Sequence, residues 1–516
     1  MTELLALFPG YLTAHLQLSL LALALGGALS LPLGVWVTRR PRLESAALGA
    51  ASVVQTVPSL ALLAFMVPAL AWASGWLDRG AGVELSSIGF LPALIGLTLY
   101  SVLPMLRNTV TGIAGVEPAV IEAARAVGMT ARQRLWRVEL PLALPVIIAG
   151  VRTAAVWVVG TATLSTPVGA PSLGNYIFSG LQTRNYAAVL LGCVGSAGLA
   201  LALDGLIRGI ERAYRARNRA GLALTLGIAL LLLGVAVGSL VPRLGAPGAQ
   251  PVAIGSKPFT EQYVLGELLS LQIERRAGAE TRSVPSLGST VAFDALRSGE
   301  IDVYVDYSGT IWATIMKRQE LPPERAQVLR EVTDFLEREA GVGVIASLGF
   351  ENTYAVGMRK EHAAELGVER ISELARLASR FEIASGYEFF ARPEWRALRD
   401  SYGLDFAGLR GMDPSLMYPA VRDAQVDVIA AYSTDGRIAA YDIALLEDDL
   451  GVIPPYDALV LASARLRSTR PEVVDALREL EGALDENAMR RLNLRVDRGG
   501  EAPRSAARDF LDSRGR

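Results

Sequence analysis

Apolar runs of about twenty residues or more, long enough to cross a bilayer, recur through the first half of the chain at 12–37, 46–73, 88–110, 142–165, 187–207 and 221–242. From Val252 the pattern changes. Short apolar strand-like segments at 252–256, 301–306, 341–346, 354–358, 381–385, 426–432 and 458–463 alternate with amphipathic helical patterns such as 260–276, 288–298 and 323–340. Strands interleaved with helices predict an α/β fold. The 265 residues from 252 to 516 are many for one doubly wound lobe, so two lobes with a cleft between them are expected. A Pro/Gly-rich stretch at 243–251 reads as a linker. The predicted organisation is an α-helical membrane domain over 1–220, a sixth span and linker over 221–251, and a two-lobed domain over 252–516. Strands near 354 and 456 read as the crossovers, giving lobe one as 252–355 with 456–516 and lobe two as 356–455.

Composition agrees with a chain of two parts. Of the 516 residues, 51% are hydrophobic and 20% charged, against about a quarter charged in soluble proteins. Up to residue 251 there are 17 Lys/Arg and 9 Asp/Glu; beyond it there are 33 and 43. One cysteine, Cys193, excludes a disulfide framework within the chain. Two distant histidines, His15 and His362, exclude a zinc site and a His-dependent triad. No metal site and no catalytic residue is expected, and no long run of like charge suggests nucleic-acid binding. The first apolar run lacks a basic leader and is followed by further spans, so it does not read as a cleaved signal peptide.

Basic residues in short loops set orientation. The loops after the first, third and fifth spans hold thirteen arginines (39, 40, 42, 107, 125, 132, 134, 137, 208, 212, 215, 217 and 219). The two opposite loops hold only Arg79 and Arg184. The arginine-rich loops are therefore cytoplasmic, and the sixth span places 252–516 outside. Arg152 lies within the fourth span, where an ionisable group either serves function or snorkels to the interface.

The cytoplasmic loop after the third span reads EAARAVGMTARQRLWRVELP from Glu122 to Pro141. An amphipathic helix over 118–127, a break at Gly128 and a second short helix over 130–138 suit either an ordinary surface loop or a docking element for a soluble partner. The run resembles the EAA loop of ABC importer permeases, with Glu122, Ala123, Ala124, Gly128, Leu140 and Pro141 in the family's places and Val138 where isoleucine is common. The resemblance implies a type I ABC importer-like permease over roughly 12–215, coupled through this loop to an ATPase. The chain holds no GxxxxGK[ST] phosphate loop, so ATP would be used by a separate ABC ATPase subunit and no cofactor would be bound here. One such domain is half a pathway, which implies a homodimer of this chain.

Ten of the fifteen tyrosines fall after residue 251, and several stand at strand ends. Each alone is more simply a half-buried packing residue. Converging, they would form a box for a quaternary ammonium. The words GSKPFTEQYVLGE (255–267), DVYVDYSGT (302–310), GFENTYAVG (349–357), VDVIAAYSTDGRIAAYD (426–442) and PPYDALV (454–460) resemble the osmoprotectant-binding proteins of the glycine betaine/carnitine/choline family. That resemblance implies a type II periplasmic-binding-protein fold. It implies a cage of Tyr307, Tyr354, Tyr432 and Tyr456 with Asn352 lining it, and a carboxylate clamp of Lys257, Thr310 and Arg392.

The chain therefore reads as a permease fused to its own binding domain in a bacterial inner membrane, importing a betaine-like solute and catalysing no reaction. Ergothioneine, a histidine-derived betaine, is the alternative within this class, with Tyr387, Glu388 and Tyr418 as further wall residues. A ligand-gated channel or sensor would need pore segments between the lobes or a cytoplasmic output domain. A membrane-anchored enzyme would need a nucleophile–base pair. The sequence displays none of these.

Overall fold

The computed structural model describes residues 2–81, 86–182, 185–238, 251–318, 324–386 and 389–514. The linker up to residue 250, Arg184, Tyr387 and Glu388 lie outside the described residues. The chain divides into two compact units, one built on residues up to 177 and 187–248, the other on 178–186 and 249–516.

The described residues of the first unit form helices and the turns that join them. Among the described residues five stretches are long and apolar enough to cross a membrane: Leu5–Val37, Phe90–Ala114, Ala131–Val168, Tyr186–Arg215 and Arg219–Gly238. The run expected as one straight span over 46–73 is instead two helices, Pro41–Thr56 and Ser59–Ala81, and Pro41–Thr56 meets Ser59–Ser74 at a bend of 99°. Proline explains the difference. Pro58 has no N–H to give, and its ring drives the preceding residue out of the helical region; Val57 sits at φ −68°, ψ 129°. The Val57 carbonyl freed by the break accepts the hydroxyl of Tyr100.

Close helix approach rests on small residues, as expected where apolar burial gives no preference for protein over lipid. A Cβ on Gly26 or Gly34 would fall 1.8 Å from Ser101 Oγ or 2.6 Å from Thr109 Cγ2, on the helix Phe90–Ala114. A Cβ on Gly150 would meet the Asn108 Cβ at 2.5 Å. These glycines seat the first and fourth spans against the third.

Among its described residues the second unit holds ten strands in two sheets. They are β1 Val252–Gly255, β2 Thr281–Val284, β3 Val303–Tyr307, β4 Gly343–Glu351, β5 Tyr354–Arg359, β6 Glu382–Ser385, β7 Gly408–Gly411, β8 Val428–Tyr432, β9 Ile443–Leu445 and β10 Asp457–Ala462. The first sheet runs β2-β1-β3-β10-β4 and the second β7-β6-β8-β5-β9. In each, one strand inserts antiparallel beside an otherwise parallel set: β10 between β3 and β4, β5 between β8 and β9. The inserted strands follow the two crossovers, so each sheet receives a strand as the chain arrives from the other. Every residue of β3 and β10 is buried, as expected for central strands covered on both faces.

The crossovers lie between Glu351 and Tyr354 and between Leu445 and Asp457. Tyr354 and Ala355, grouped with the first lobe from sequence, pair with Tyr432 and Ala431 in the second sheet. The two crossovers are joined where the Asn352 N–H donates to the Tyr456 carbonyl at 3.0 Å. Both lobes therefore meet at Asn352, and the strand ends carrying Tyr307, Tyr354, Tyr432 and Tyr456 open onto one place.

Candidate functional site

Strand ends bring the aromatic residues together. Tyr307 ends β3, Tyr354 begins β5, Tyr432 ends β8, and Tyr456 immediately precedes β10. Ring centroids lie 5.2 Å apart for Tyr354–Tyr432 and 5.8 Å for Tyr354–Tyr456, the latter edge-on. Phe259, in the turn between β1 and the helix Thr260–Arg276, completes the arc. It stacks on Tyr432 at 6.1 Å and on Tyr307 at 6.4 Å. Phe259 was not singled out from sequence, although it stands in one of the matching words; a lone phenylalanine before a helix carries no signal of its own. Phe389 backs Tyr354 at 4.8 Å. The Tyr456 ring lies flat over Gly309, where a Cβ would approach three ring atoms to 2.7–2.8 Å, so it seats only over a glycine.

Two buried carboxylates stand behind these rings. Glu261 accepts from the hydroxyls of Tyr307 and Thr434, both at 2.5 Å, and from the side-chain amides of Asn352 at 2.9 Å and Asn493 at 3.1 Å. Glu394 accepts the Tyr456 hydroxyl. Burial raises the Glu261 pKa, although four hydrogen bonds to the charged form oppose that rise. Burial, and next the charge of the neighbouring carboxylate, pushes the Tyr307 and Tyr456 phenols well above their usual range. A phenol donating to a carboxylate is polarised toward phenolate, which enriches the ring face and strengthens its attraction for a cation. Sequence reasoning missed both acids, since a carboxylate acting from behind an aromatic ring leaves no local pattern.

The three residues expected to hold a carboxylate are all near the arc, but the two basic ones are engaged. The Lys257 ammonium lies 2.5 Å from Asp306 Oδ1 and 5.4 Å from the centroid of the Tyr307 ring. Asp306 also accepts the Tyr304 hydroxyl at 2.6 Å and the Tyr307 N–H at 2.7 Å. Arg392 donates to Thr314 Oγ1 at 3.1 Å, pairs with Glu394 at 3.3 Å, and lies 5.4 Å from the Tyr354 ring centroid. Thr310 is buried in the single turn after β3. Tyr418, expected as a ligand wall, is fully buried behind Tyr432. Its hydroxyl accepts the Tyr432 N–H at 3.3 Å, and the Arg437 guanidinium covers its ring at 4.4 Å.

In the membrane unit the loop after the third span forms the helix Pro118–Ala126, a left-handed Gly128 at φ +79°, and the helix Ala131–Arg134. The latter is capped by reciprocal bonds between Thr130 and Gln133. Glu122, Ala123 and Gly128 are exposed and Ala124 is buried. Wide π-turns over Leu135–Glu139 lead into Leu140 and Pro141, which open the helix Leu140–Ala162. Glu139, unremarked in the sequence, is buried and binds Arg134 at 2.7 Å and Arg39 at 2.9 Å, tying this loop to the one after the first span. Arg152 is bound to Asp204 at 2.8 Å and lies 3.5 Å from Glu211, both on the next spanning helix.

Both parts of the chain are similar to known proteins. Residues 250–513 match the family described as the substrate binding domain of ABC-type glycine betaine transport system. Residues 30–245 match the binding-protein-dependent transport system inner membrane component. The ergothioneine transport permease/ergothioneine binding protein of Helicobacter pylori (strain G27) is 28% identical over 495 residues, covering 94% of this chain and 86% of that one. The glycine betaine/carnitine/choline transport system permease protein of Bacillus subtilis (strain 168) is 38% identical over 208 residues, covering 40% of this chain and 88% of the relative. The carnitine transport binding protein of Listeria monocytogenes is 29% identical over 276 residues, covering 52% and 89%. With spanning helices in its first unit, two linked sheets in its second and both family matches in register with them, this chain belongs to the ABC-type glycine betaine transport family, as a membrane permease fused to its substrate-binding domain.

Proposed function

We propose that the chain is the permease and binding subunit of an ATP-driven importer for quaternary ammonium solutes of the betaine class. It would sit in a bacterial inner membrane with residues 252–516 outside. The observation carrying this reading is the arc of Phe259, Tyr307, Tyr354, Tyr432 and Tyr456. A trimethylammonium group offers no hydrogen bond, so a site selects it by ring faces, each contributing about 0.5–2 kcal/mol when desolvated. Glu261 and Glu394 supply compensating negative charge behind two of those rings.

Transport would need a partner ABC ATPase docking on the exposed loop around Glu122–Gly128, and a second copy of this chain to complete the pathway. Closure of the lobes around the ligand would present the domain to the permease, with the tether raising its local concentration. This chain would do no covalent chemistry.

A betaine also carries a carboxylate, which would have to draw Lys257 from Asp306 or Arg392 from Glu394, with Thr310 as hydroxyl donor. A second reading, ergothioneine, is supported by the Helicobacter pylori relative, which aligns with nearly the whole chain. Calorimetric titration of the purified full chain with glycine betaine, choline and ergothioneine tests the proposal. Micromolar or tighter binding of at least one is expected. Tightest binding of glycine betaine supports the carboxylate clamp, and tightest binding of ergothioneine the second reading. No heat from any of the three would refute the quaternary ammonium assignment.

A further inference from the structure

Directly after Tyr432 the chain of the second lobe runs along the helix Glu486–Asp497, which packs on β4 and on the helix Thr260–Arg276 of the first lobe. Polar contacts join the two lobes along this seam. The Ser433 carbonyl accepts from Arg490 Nε at 2.8 Å, and the Thr434 carbonyl accepts from the Asn493 amide at 2.9 Å. The Thr434 hydroxyl donates to Glu261 at 2.5 Å, and Arg437 lies 3.8 Å from Asp497. Between these contacts Gly436 lies against the helix backbone itself. A Cβ there would stand 2.6 Å from the Leu494 nitrogen, 2.7 Å from its Cα and 2.9 Å from its Cβ.

Local conformation does not ask for glycine at this position. Gly436 has φ −61° and ψ −21°, a helical geometry open to every L-residue. The three atoms nearest an added Cβ all belong to Leu494, across the seam. The missing side chain therefore sets how closely the lobes approach. Hydrogen bonds carry that spacing to the arc. On the second lobe, the Asp435 N–H donates to the Tyr432 carbonyl at 3.0 Å, and the Ser433 N–H to the Thr353 carbonyl, next to Tyr354, at 2.9 Å. On the first, the Thr260 hydroxyl donates to Asp497 at 2.6 Å and fixes the chain beside Phe259. Phe259 and Tyr432, one from each lobe, then lie with ring centroids 6.1 Å apart and planes within 2° of parallel.

Resting on the quaternary ammonium reading above, we propose that Gly436 is a positioning residue for ligand selection. Its contact with the Leu494 backbone sets the depth to which the cleft closes, and so the size of ammonium head group that rings of both lobes touch at once. A packed helix backbone does not give way as the end of a flexible side chain does. A methyl group at 436 therefore holds Tyr432 and Tyr354 outward from Phe259 and Tyr307. A small head group then loses ring faces of one lobe, while a larger one still spans the wider gap.

Titration of the full chain and of its Gly436→Ala variant with choline and with triethylcholine, which carries N-ethyl groups in place of N-methyl, tests this. The parent is expected to prefer choline. In Gly436→Ala, choline is expected to weaken by about tenfold, as for the loss of roughly one ring face. Triethylcholine holds or gains, so the preference for choline narrows by about tenfold or more. The two unliganded proteins are expected to melt alike, since each lobe keeps its own sheet. Equal loss of both ligands would overturn the proposal, because a merely structural glycine weakens binding without regard to head-group size. Unchanged affinity for choline would overturn it as well. So would a variant that no longer melts cooperatively, since the glycine would then be needed to fold a lobe and not to seat one on the other. If the parent binds neither ligand, the quaternary ammonium reading itself fails, and the role of Gly436 with it.

Discussion

Truncating Tyr354 to alanine is expected to weaken binding of every trimethylammonium ligand by roughly 30- to 150-fold, while Tyr354→Phe stays close to the parent. Tyr354 is the hub of the arc, within 6 Å of Tyr432, Tyr456 and Phe389 by ring centroid. Its ring contributes about 0.5–2 kcal/mol to a bound cation. Each aromatic pair it forms adds about 0.5–1.5 kcal/mol to the order of the remaining walls. A loss of about 2–3 kcal/mol corresponds to the range above. Because removing a buried ring also costs stability, about 3–5 kcal/mol, the variant's melting midpoint is measured alongside its affinity. If alanine loses no more affinity than phenylalanine in a folded variant, the ring does not touch ligand.

Lys257→Met is expected to lower the stability of the binding domain by about 3–5 kcal/mol, the cost of stranding one member of a buried ion pair. Asp306, its partner, is fully buried. The double variant Lys257→Met/Asp306→Asn should recover most of the loss, because the asparagine oxygen still accepts the Tyr307 N–H while its NH2 donates to the Tyr304 hydroxyl oxygen, without carrying a charge. Thermal melts of the three proteins read this directly. Ligand selectivity separates the two roles open to Lys257. As a structural ion pair its loss weakens glycine betaine and choline alike, through displacement of Tyr307. As a ligand contact it weakens glycine betaine alone. Unchanged melting of Lys257→Met would show that the pair with Asp306 contributes nothing.

Much of this architecture was legible before any coordinates. The helix Thr260–Arg276 runs over the residues its apolar pattern marked, and β1, β5, β6 and β8 fall within a residue or two of the apolar runs. What periodicity missed was β2, β7 and β9, three- or four-residue strands that all lie at sheet edges, β7 being largely exposed; a short strand with one open side has too few buried positions to print a pattern. The break in the second apolar run was written in Val57-Pro58, but apolar length masked it.

At the site, the long matching words placed four tyrosines whose hydrophobic character alone could not set them apart from six others. The same words contained Phe259 and Glu261, and nothing in their spacing marked them. The roles of Glu261, Glu394 and Asp306 arise from neighbours 46 or more residues away for the first two and from a lysine 49 residues back for the third. Long-range partners of this kind are created by tertiary packing and leave no mark in local sequence. For the same reason Lys257 reads as an open cation from sequence and is paired in the fold; Arg392 is paired too, but with Glu394 only two residues on.

The central claim is that the arc of rings recognises positive charge and not merely a trimethyl shape. It is tested most directly by titrating the full chain with choline and with 3,3-dimethylbutan-1-ol, its neutral carbon isostere. Four or five ring faces predict that choline binds at least about a hundredfold more tightly. Affinities within a few-fold of one another would mean that the rings form an ordinary apolar pocket, and the assignment to quaternary ammonium solutes would be wrong.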